Sequence, residues 1–416
     1  MKLAVIGGGS TYTPELADGL GRLAPQLTEL VLVDPDETRL SLVGPVSARI
    51  MRRHGHQAAV RWTTDADDGL DGAAAVLIQL RVGGQAARDR DETWPLGFCC
   101  VGQETTGAGG LAKALRTVPL VLRIAERARE LAAPDAWLID FTNPVGIVTR
   151  ALLDAGHRAV GLCNVAIGFQ RYFAGLLGVP PESVSLDHVG LNHLTWERAV
   201  RVDGADRLPE LLARHGGEIA ARVESPASVL AAGGCVPSYY LRYYYFHDAV
   251  VAEQRSAGTR AAAVAAIEAE LLRLYADPGL DVKPPLLGQR GGAFYSEAAV
   301  ALLASLLGGT GDVQVVNLRN RGTFDFLADD AVIEVPAVIG QAGPVPVPAE
   351  PLPPLLRGLV AHMSAYEELA VDAALRGGQP RVVSALLAHP LIGQYDLAEE
   401  MAGRLIAENK RFLAWA

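Results

Sequence analysis

Predominantly apolar runs alternate with longer amphipathic stretches through the first third of the chain. Leu3–Ile6, Leu30–Val33, Ala73–Leu80 and Ala136–Phe141 carry few polar positions. That is the pattern of strands buried on both faces of a parallel sheet. Helical periodicity fills Leu40–Arg53 and Leu111–Leu131 between them. The βαβ alternation predicts an α/β fold with a doubly wound parallel sheet, its ligand groups gathered at the carboxyl ends of the strands. After His193 the alternation lapses, which predicts an α+β second half. Thr259–Tyr275 reads as an alanine-rich amphipathic helix, and Val313–Leu318 and Val332–Val335 as strands. Gln341–Pro354 holds six prolines and reads as an extended connection. Helical patterns at Leu356–Leu375, Pro380–Ala388 and Leu397–Trp415 close the chain. The expected division is 1–168 and 169–416.

Composition narrows the classes. The 416 residues suffice for two domains, and half of them are apolar. A net charge of −10 argues against a nucleic-acid binder. Four cysteines without a CxxC pair point to a reducing compartment. Met1-Lys2 runs straight into the first apolar stretch, leaving no room for a signal peptide, and no apolar run reaches about 18 residues. A cytoplasmic protein with no membrane span is expected.

The first strand runs into Gly7-Gly8-Gly9-Ser10-Thr11, and a helix should follow with Thr13 as its cap, Pro14 at its first position and Glu15 against the dipole. Strand, glycine turn and helix N-terminus make a cradle for a pyrophosphate. The match to GxGxxG is incomplete, because Tyr12 occupies the third glycine's place. Asp34 ends the second strand, 25 residues past Gly9, where a carboxylate accepts from a ribose 2′-hydroxyl and repels a 2′-phosphate. A Rossmann-like domain binding NAD rather than NADP is expected. Arg39, with Gln79 and Arg81 at the end of the third apolar run, joins these as candidate cofactor contacts.

Two tetrapeptides next carry metal-capable groups: Gly161-Leu162-Cys163-Asn164 and Gly190-Leu191-Asn192-His193. Thiolate and imidazole suit a borderline divalent cation, and two protein ligands leave positions for a substrate. Each alone is more often a packed cysteine or a hydrogen-bonded histidine. Asn143, Cys163 and Asn164 all fall at expected strand ends. A glycine-bracketed loop after Arg81 holds Arg88, Arg90 and Gly102–Gly107, with Glu104 the functional candidate and Arg90 and Asp91 read as ordinary surface. Five of eleven tyrosines lie within Tyr239–Tyr245. At helical spacing Tyr240 pairs with Tyr244 and Tyr239 with Tyr243, so one pair can face a cleft. Arg260 opens a helix against the dipole, which favours a charged partner.

Together these runs resemble glycoside hydrolase family 4, the NAD- and divalent-metal-dependent glycosidases, and within it the 6-phospho-β-glucosidases. Val5–Ser10 with Tyr12–Leu16, Gly102–Gly107, Phe141–Pro144, Gly161–Val165, Gly190–Leu194, Tyr240–Tyr244, Arg290–Gly292 and Asn317–Asn320 carry the likeness, in order, along nearly the whole chain. The resemblance implies a lactate/malate dehydrogenase-like architecture, with Cys163 and His193 binding manganese. Tyr240 is then the general base and Glu104 raises its basicity. Arg88, Asn143 and Arg260 bind a phosphorylated sugar, and Asn164 lies against it. A homodimer or homotetramer is implied as well. Two departures stand out: Ala166 replaces a usual Pro, and Asn164 stands where α-acting relatives often carry Asp. An amide is no proton donor, so a β-linked substrate is favoured and the leaving group's acid stays unassigned.

The implied chemistry is oxidation at C3, deprotonation at C2, loss of the aglycone, addition of water and re-reduction, which returns the cofactor to its starting state. Two other classes use the same first half: a dehydrogenase of 2-hydroxy acids, and a non-catalytic dinucleotide sensor that leaves Cys163, His193 and Tyr240 idle. A family member acting on an α-linked or unphosphorylated glycoside is the nearer alternative.

Overall fold

The computed structural model describes residues 1–24, 26–292 and 294–416. Six parallel strands form the first part of a nine-stranded sheet: β1 (Lys2–Ile6), β2 (Glu29–Val33), β3 (Ala59–Thr63), β4 (Ala75–Ile78), β5 (Trp137–Asp140) and β6 (Ala159–Gly161). Their spatial order is β3-β2-β1-β4-β5-β6. The order reverses between β1 and β4, which opens a crevice beyond their carboxyl ends. Leu3–Ile6 and Ala75–Ile78 are buried throughout, as the apolar runs require of a doubly covered sheet.

The second half continues this sheet. With β7 (Val184–Leu191), β8 (Leu194–Val202), β9 (Ala205–Asp206) and β10 (Val236–Pro237) set apart in a smaller antiparallel sheet, β11 (Val313–Arg319), β12 (Val332–Gly340) and β13 (Gly343–Pro346) extend the main one. Asn317 of β11 pairs antiparallel with Gly161 of β6. The expected division at 168 falls inside the helix Val165–Leu177, and one apolar core runs from β1 to the C-terminal helices. β12 packs across β7 and so joins the two sheets.

Local expectations are corrected in four places. The first helix spans Thr13–Leu23 with Tyr12 as its cap, so Thr13 is helical, and its Oγ1 accepts from Gln79 instead. The expected loop after Arg81 is largely a helix, Gly84–Thr93, in which Asp91 is 1% exposed rather than on the surface. Arg116 meets Asp91 at 2.6 Å and also donates to Asn409, which pins that helix to Gly107–Leu131 and the C-terminal helix. Part of the proline-rich connection is the edge strand β13, where prolines remove only outward-facing donors. The last helix ends at Asn409, followed by a short 3-10 turn. Among the described residues, no helix is long and apolar enough to cross a membrane.

Candidate active site

The glycine turn lies at the switch point. Gly7 and Gly8 both donate to Val33 O at 2.9 Å, and Gly9 donates to Asp34 Oδ2 at 3.1 Å. Gly7 has φ +85°, and a Cβ there would sit 2.8 Å from Gln79 O; at Gly8 it would sit 2.7 Å from Leu32 Cα. Only glycine lets the turn press between β2 and β4. Arg39 Nε donates to Gly9 O at 2.9 Å, and Gln79 Nε2 to Thr13 Oγ1 at 2.9 Å. Gly7–Thr11, Asp34, Arg39 and Gln79 are therefore gathered at one end of the sheet. Arg81 is bound elsewhere, to Glu104.

Cys163 follows β6 and is 5% exposed. His193 stands in the two-residue turn joining β7 to β8, with φ +63°. A non-glycine residue in that region is uncommon and tends to mark a functional turn. Asn192 lies between the two positions: its amide favours the Cys163 thiolate, and it donates to Glu334 Oε2 at 2.8 Å. The His193 ring stacks on Tyr240, with centroids 3.7 Å apart and planes 8° apart. Burial pushes the imidazole pKa down to about 4, so the ring is neutral and able to ligate. His193 Nδ1 meets Thr105 Oγ1 at 3.1 Å, which leaves the ligand role to Nε2. Burial and then the Glu334 charge hold the Cys163 thiol protonated. Among the described residues, no three His, Cys, Asp or Glu side chains cluster as a complete metal cage. Thiol and imidazole fit a cation that takes its remaining ligands from substrate.

Tyr240 belongs to a 3-10 turn, Tyr239–Leu241, that passes into the short helix Arg242–Tyr245. This change of pitch separates Tyr240 from Tyr244, while Tyr239 and Tyr243 stay in edge-to-face contact at 6.0 Å. Tyr240 enters the site. Tyr244 meets Thr106 Oγ1 at 2.6 Å and packs near His389, Gln103 donates to Tyr243 Oη, and Trp196 donates to Tyr245 Oη. Burial raises the Tyr240 pKa well above the usual phenol range, with Cys163, Tyr243 and Glu104 adding to it. Glu104 is itself buried, yet Arg81, Lys113 and Arg88 hold its carboxyl well below its ordinary value. Lys113 Nζ lies 2.7 Å from Glu104 Oε2 and Arg88 Nε 3.1 Å from Oε1. Burial, opposed by Glu104, brings the Lys113 pKa down to about 7.

The remaining candidates divide. The Asn143 Oδ1, at the end of β5, is buried and has no hydrogen-bond partner among the described residues, as suits a group reserved for a ligand. Asn164 caps the helix Val165–Leu177 by position but not through its side chain. Arg260 donates to the carbonyls of Gln289 and Arg290 rather than to a carboxylate, and its neighbour Ala261 donates to Glu92, which also holds Arg88. Lys113 and Glu334 escaped the sequence reading. Lys113 sits in the run Gly107–Leu115, which is otherwise apolar or glycine, and that isolation was the one signal available.

Behind Asn192 stands a closed network. His188 bonds Glu197 Oε1 at 2.6 Å and Glu334 Oε1 at 3.1 Å, and Asn317 donates to Glu334 Oε2 at 2.8 Å. Burial alone would lower the His188 pKa, but the two carboxylates outweigh it and push it up to about 10. The folded state thus binds this proton more tightly than the unfolded chain does. Its stabilisation is complete below about pH 6.5 and lost as pH rises through about 10. The stability advantage of the native chain over His188→Gln should therefore shrink from pH 6 to pH 10 in urea titrations. An advantage that stays constant with pH contradicts a charged His188.

The family models match the chain in two blocks, family 4 glycosyl hydrolase over residues 2–179 and the family 4 glycosyl hydrolase C-terminal domain over 188–392. The chain belongs to glycosyl hydrolase family 4. Within this family it is similar to a probable 6-phospho-beta-glucosidase of Bacillus subtilis, 37% identical over 99% of this chain and 97% of the relative. The 6-phospho-beta glucosidase from Thermotoga maritima, solved with manganese, NAD+ and glucose-6-phosphate, superposes with a TM-score of 0.93 at 30% identity over 99% of both chains. Malate dehydrogenase from Salinibacter ruber shares the fold, with a TM-score of 0.52 at 17% identity over 90% of this chain and 98% of that one.

Proposed function

We propose that the protein hydrolyses 6-phospho-β-glucosides, using NAD and a divalent metal, manganese, as resident cofactors. The observation that carries this is the stack of Tyr240 on His193 beside Cys163. A phenol, an imidazole and a thiol stand together at the end of a dinucleotide sheet, a grouping that plain hydride transfer between hydroxy acids does not need. When bound, NAD supplies a reversible hydride acceptor and the cation a positive charge favouring deprotonated Cys163, Tyr240 and the sugar carbon beside a ketone. Cys163 and His193 would hold the cation. Tyr240 takes the proton from C2, where its ring is fixed by stacking. Glu104, neutralised by three cations, fixes Arg88 next to that ring, and Arg88, Asn143 and Arg260 bind the phosphorylated sugar.

Asn164 supports the β assignment, because an amide at this place cannot protonate an α-linked leaving group. The test is release of nitrophenol from 4-nitrophenyl 6-phospho-β-glucoside with both cofactors present, absorbance at 340 nm being followed in parallel. Release that requires NAD and manganese, with no net NADH, is expected. Release that survives dialysis against chelator and removal of NAD sinks the proposal, and stoichiometric NADH from a hydroxy acid favours the dehydrogenase reading. Inactivity on the unphosphorylated and α-linked analogues completes the assignment. The same reading makes the enzyme a cytoplasmic homodimer or homotetramer; a monomer in sedimentation would refute the assembly.

A further inference from the structure

The glycine turn holds little of its hydrogen-bonding capacity in reserve. The N–H groups of Gly7, Gly8, Gly9, Ser10, Tyr12 and Thr13 all have partners within the protein. A cradle of this kind ordinarily binds a pyrophosphate through such donors and the helix dipole. The sequence also breaks the glycine fingerprint at Tyr12. Both facts have one structural counterpart, an arginine delivered from the second half of the chain.

Arg290 lies over the turn. Its Nε donates to Thr11 Oγ1 at 2.7 Å and its Nη2 reaches Ser10 Oγ at 3.3 Å. Its guanidinium is 5.8 Å from the Tyr12 ring centroid, and Tyr12 Oη donates to Gly292 O. The residue that breaks the fingerprint therefore ties the turn to the segment carrying the arginine. Glu268, from the helix Arg260–Tyr275, accepts from Arg290 Nη2 at 2.9 Å and lies 3.7 Å from Arg39 Nη2. Glu268 is shared by both guanidiniums and Asp34 stands beside Arg39, which leaves Arg290 as the guanidinium lying directly on Ser10 and Thr11, fixed from several directions.

We propose that Arg290 is a cofactor-binding residue that grips the dinucleotide's pyrophosphate, with Glu268 as the positioning residue that aims it at Ser10 and Thr11. A planar guanidinium suits phosphate oxygens in pairs, which a lysine does not reproduce. The inference rests on the dinucleotide cofactor of the proposed function and names a residue outside the glycine motif as its anchor.

The experiment is calorimetric titration of the full chain with NAD, ADP-ribose and adenosine. In Arg290→Gln, NAD and ADP-ribose should bind roughly ten- to a hundredfold more weakly, the size of a lost charge-assisted hydrogen bond. Adenosine, which has no phosphate, should keep its affinity. NAD and ADP-ribose binding within about twofold of the native chain overturns the proposal. So does an equal loss for adenosine, because the role would then be structural. Should Arg290→Gln fail to fold, Arg290→Lys keeps the charge without the fork and is expected to weaken NAD several-fold; unchanged affinity overturns the proposal. A native chain that binds neither NAD nor ADP-ribose defeats the proposed function itself. A native chain that binds both, beside a variant that binds them equally, defeats the Arg290 assignment alone.

Discussion

Tyr240→Phe should lose turnover by roughly 10²- to 10⁴-fold while binding NAD as the native chain does, because a positioned general base is worth about that much. The substitution removes one oxygen and keeps the ring that stacks on His193 at 3.7 Å. Packing, the metal ligands and the dinucleotide turn are therefore preserved, and the loss falls on proton transfer. Steady-state kinetics on an aryl 6-phospho-β-glucoside, with NAD binding measured by fluorescence quenching, separate the two. Turnover within threefold of native would refute Tyr240 as base. Tyr244→Phe is the matched control. It removes a hydroxyl whose partners are Thr106 and Met363, so it should cost stability and little rate.

The second large effect concerns the metal. Cys163→Ala should weaken manganese binding by more than about 100-fold, since loss of even an outer partner costs 10–100-fold, and abolish turnover with it. The residue is buried and small, so alanine fits its space, and NAD affinity should hold. Manganese titration followed by electron paramagnetic resonance reads the affinity without relying on activity. Native-like manganese binding would remove Cys163 from the site. A change at Glu334 acts one bond further out. Glu334→Gln leaves a buried amide facing His188 and Asn192, and should weaken manganese less than Cys163→Ala does.

The parallel sheet was legible because its strands are buried on both faces, and burial of that kind leaves little room for polar residues in Leu3–Ile6 or Ala75–Ile78. The glycine turn was legible for the same physical reason: a Cβ at Gly7 or Gly8 collides with backbone. What the sequence concealed depends on contacts between distant segments. Nothing local announces that Asn317 pairs with Gly161, so the union of both halves in one sheet is visible only in the fold. Asp91 looked like surface because charged residues surround it, yet Arg116, 25 positions away, draws it into the core. Periodicity also misjudged the pairing of Tyr240 with Tyr244, since a 3-10 turn at Tyr239–Leu241 shifts the face that Tyr240 presents, though Tyr239 and Tyr243 do meet. The residues proposed for catalysis were named from residue type, order and the family resemblance, and the support behind them, Lys113, His188 and Glu334, was not.

The proposed function requires Tyr240 to remove a proton from C2 before the glycosidic bond breaks. Hydrolysis of the phosphorylated aryl β-glucoside in D₂O, with the sugar product read by NMR, tests it most directly. Proton removal at C2 and its later return from solvent predict deuterium at C2 of the product, at a rate matching nitrophenol release. Full nitrophenol release with hydrogen still at C2 would contradict it, and would return the site to direct displacement at C1.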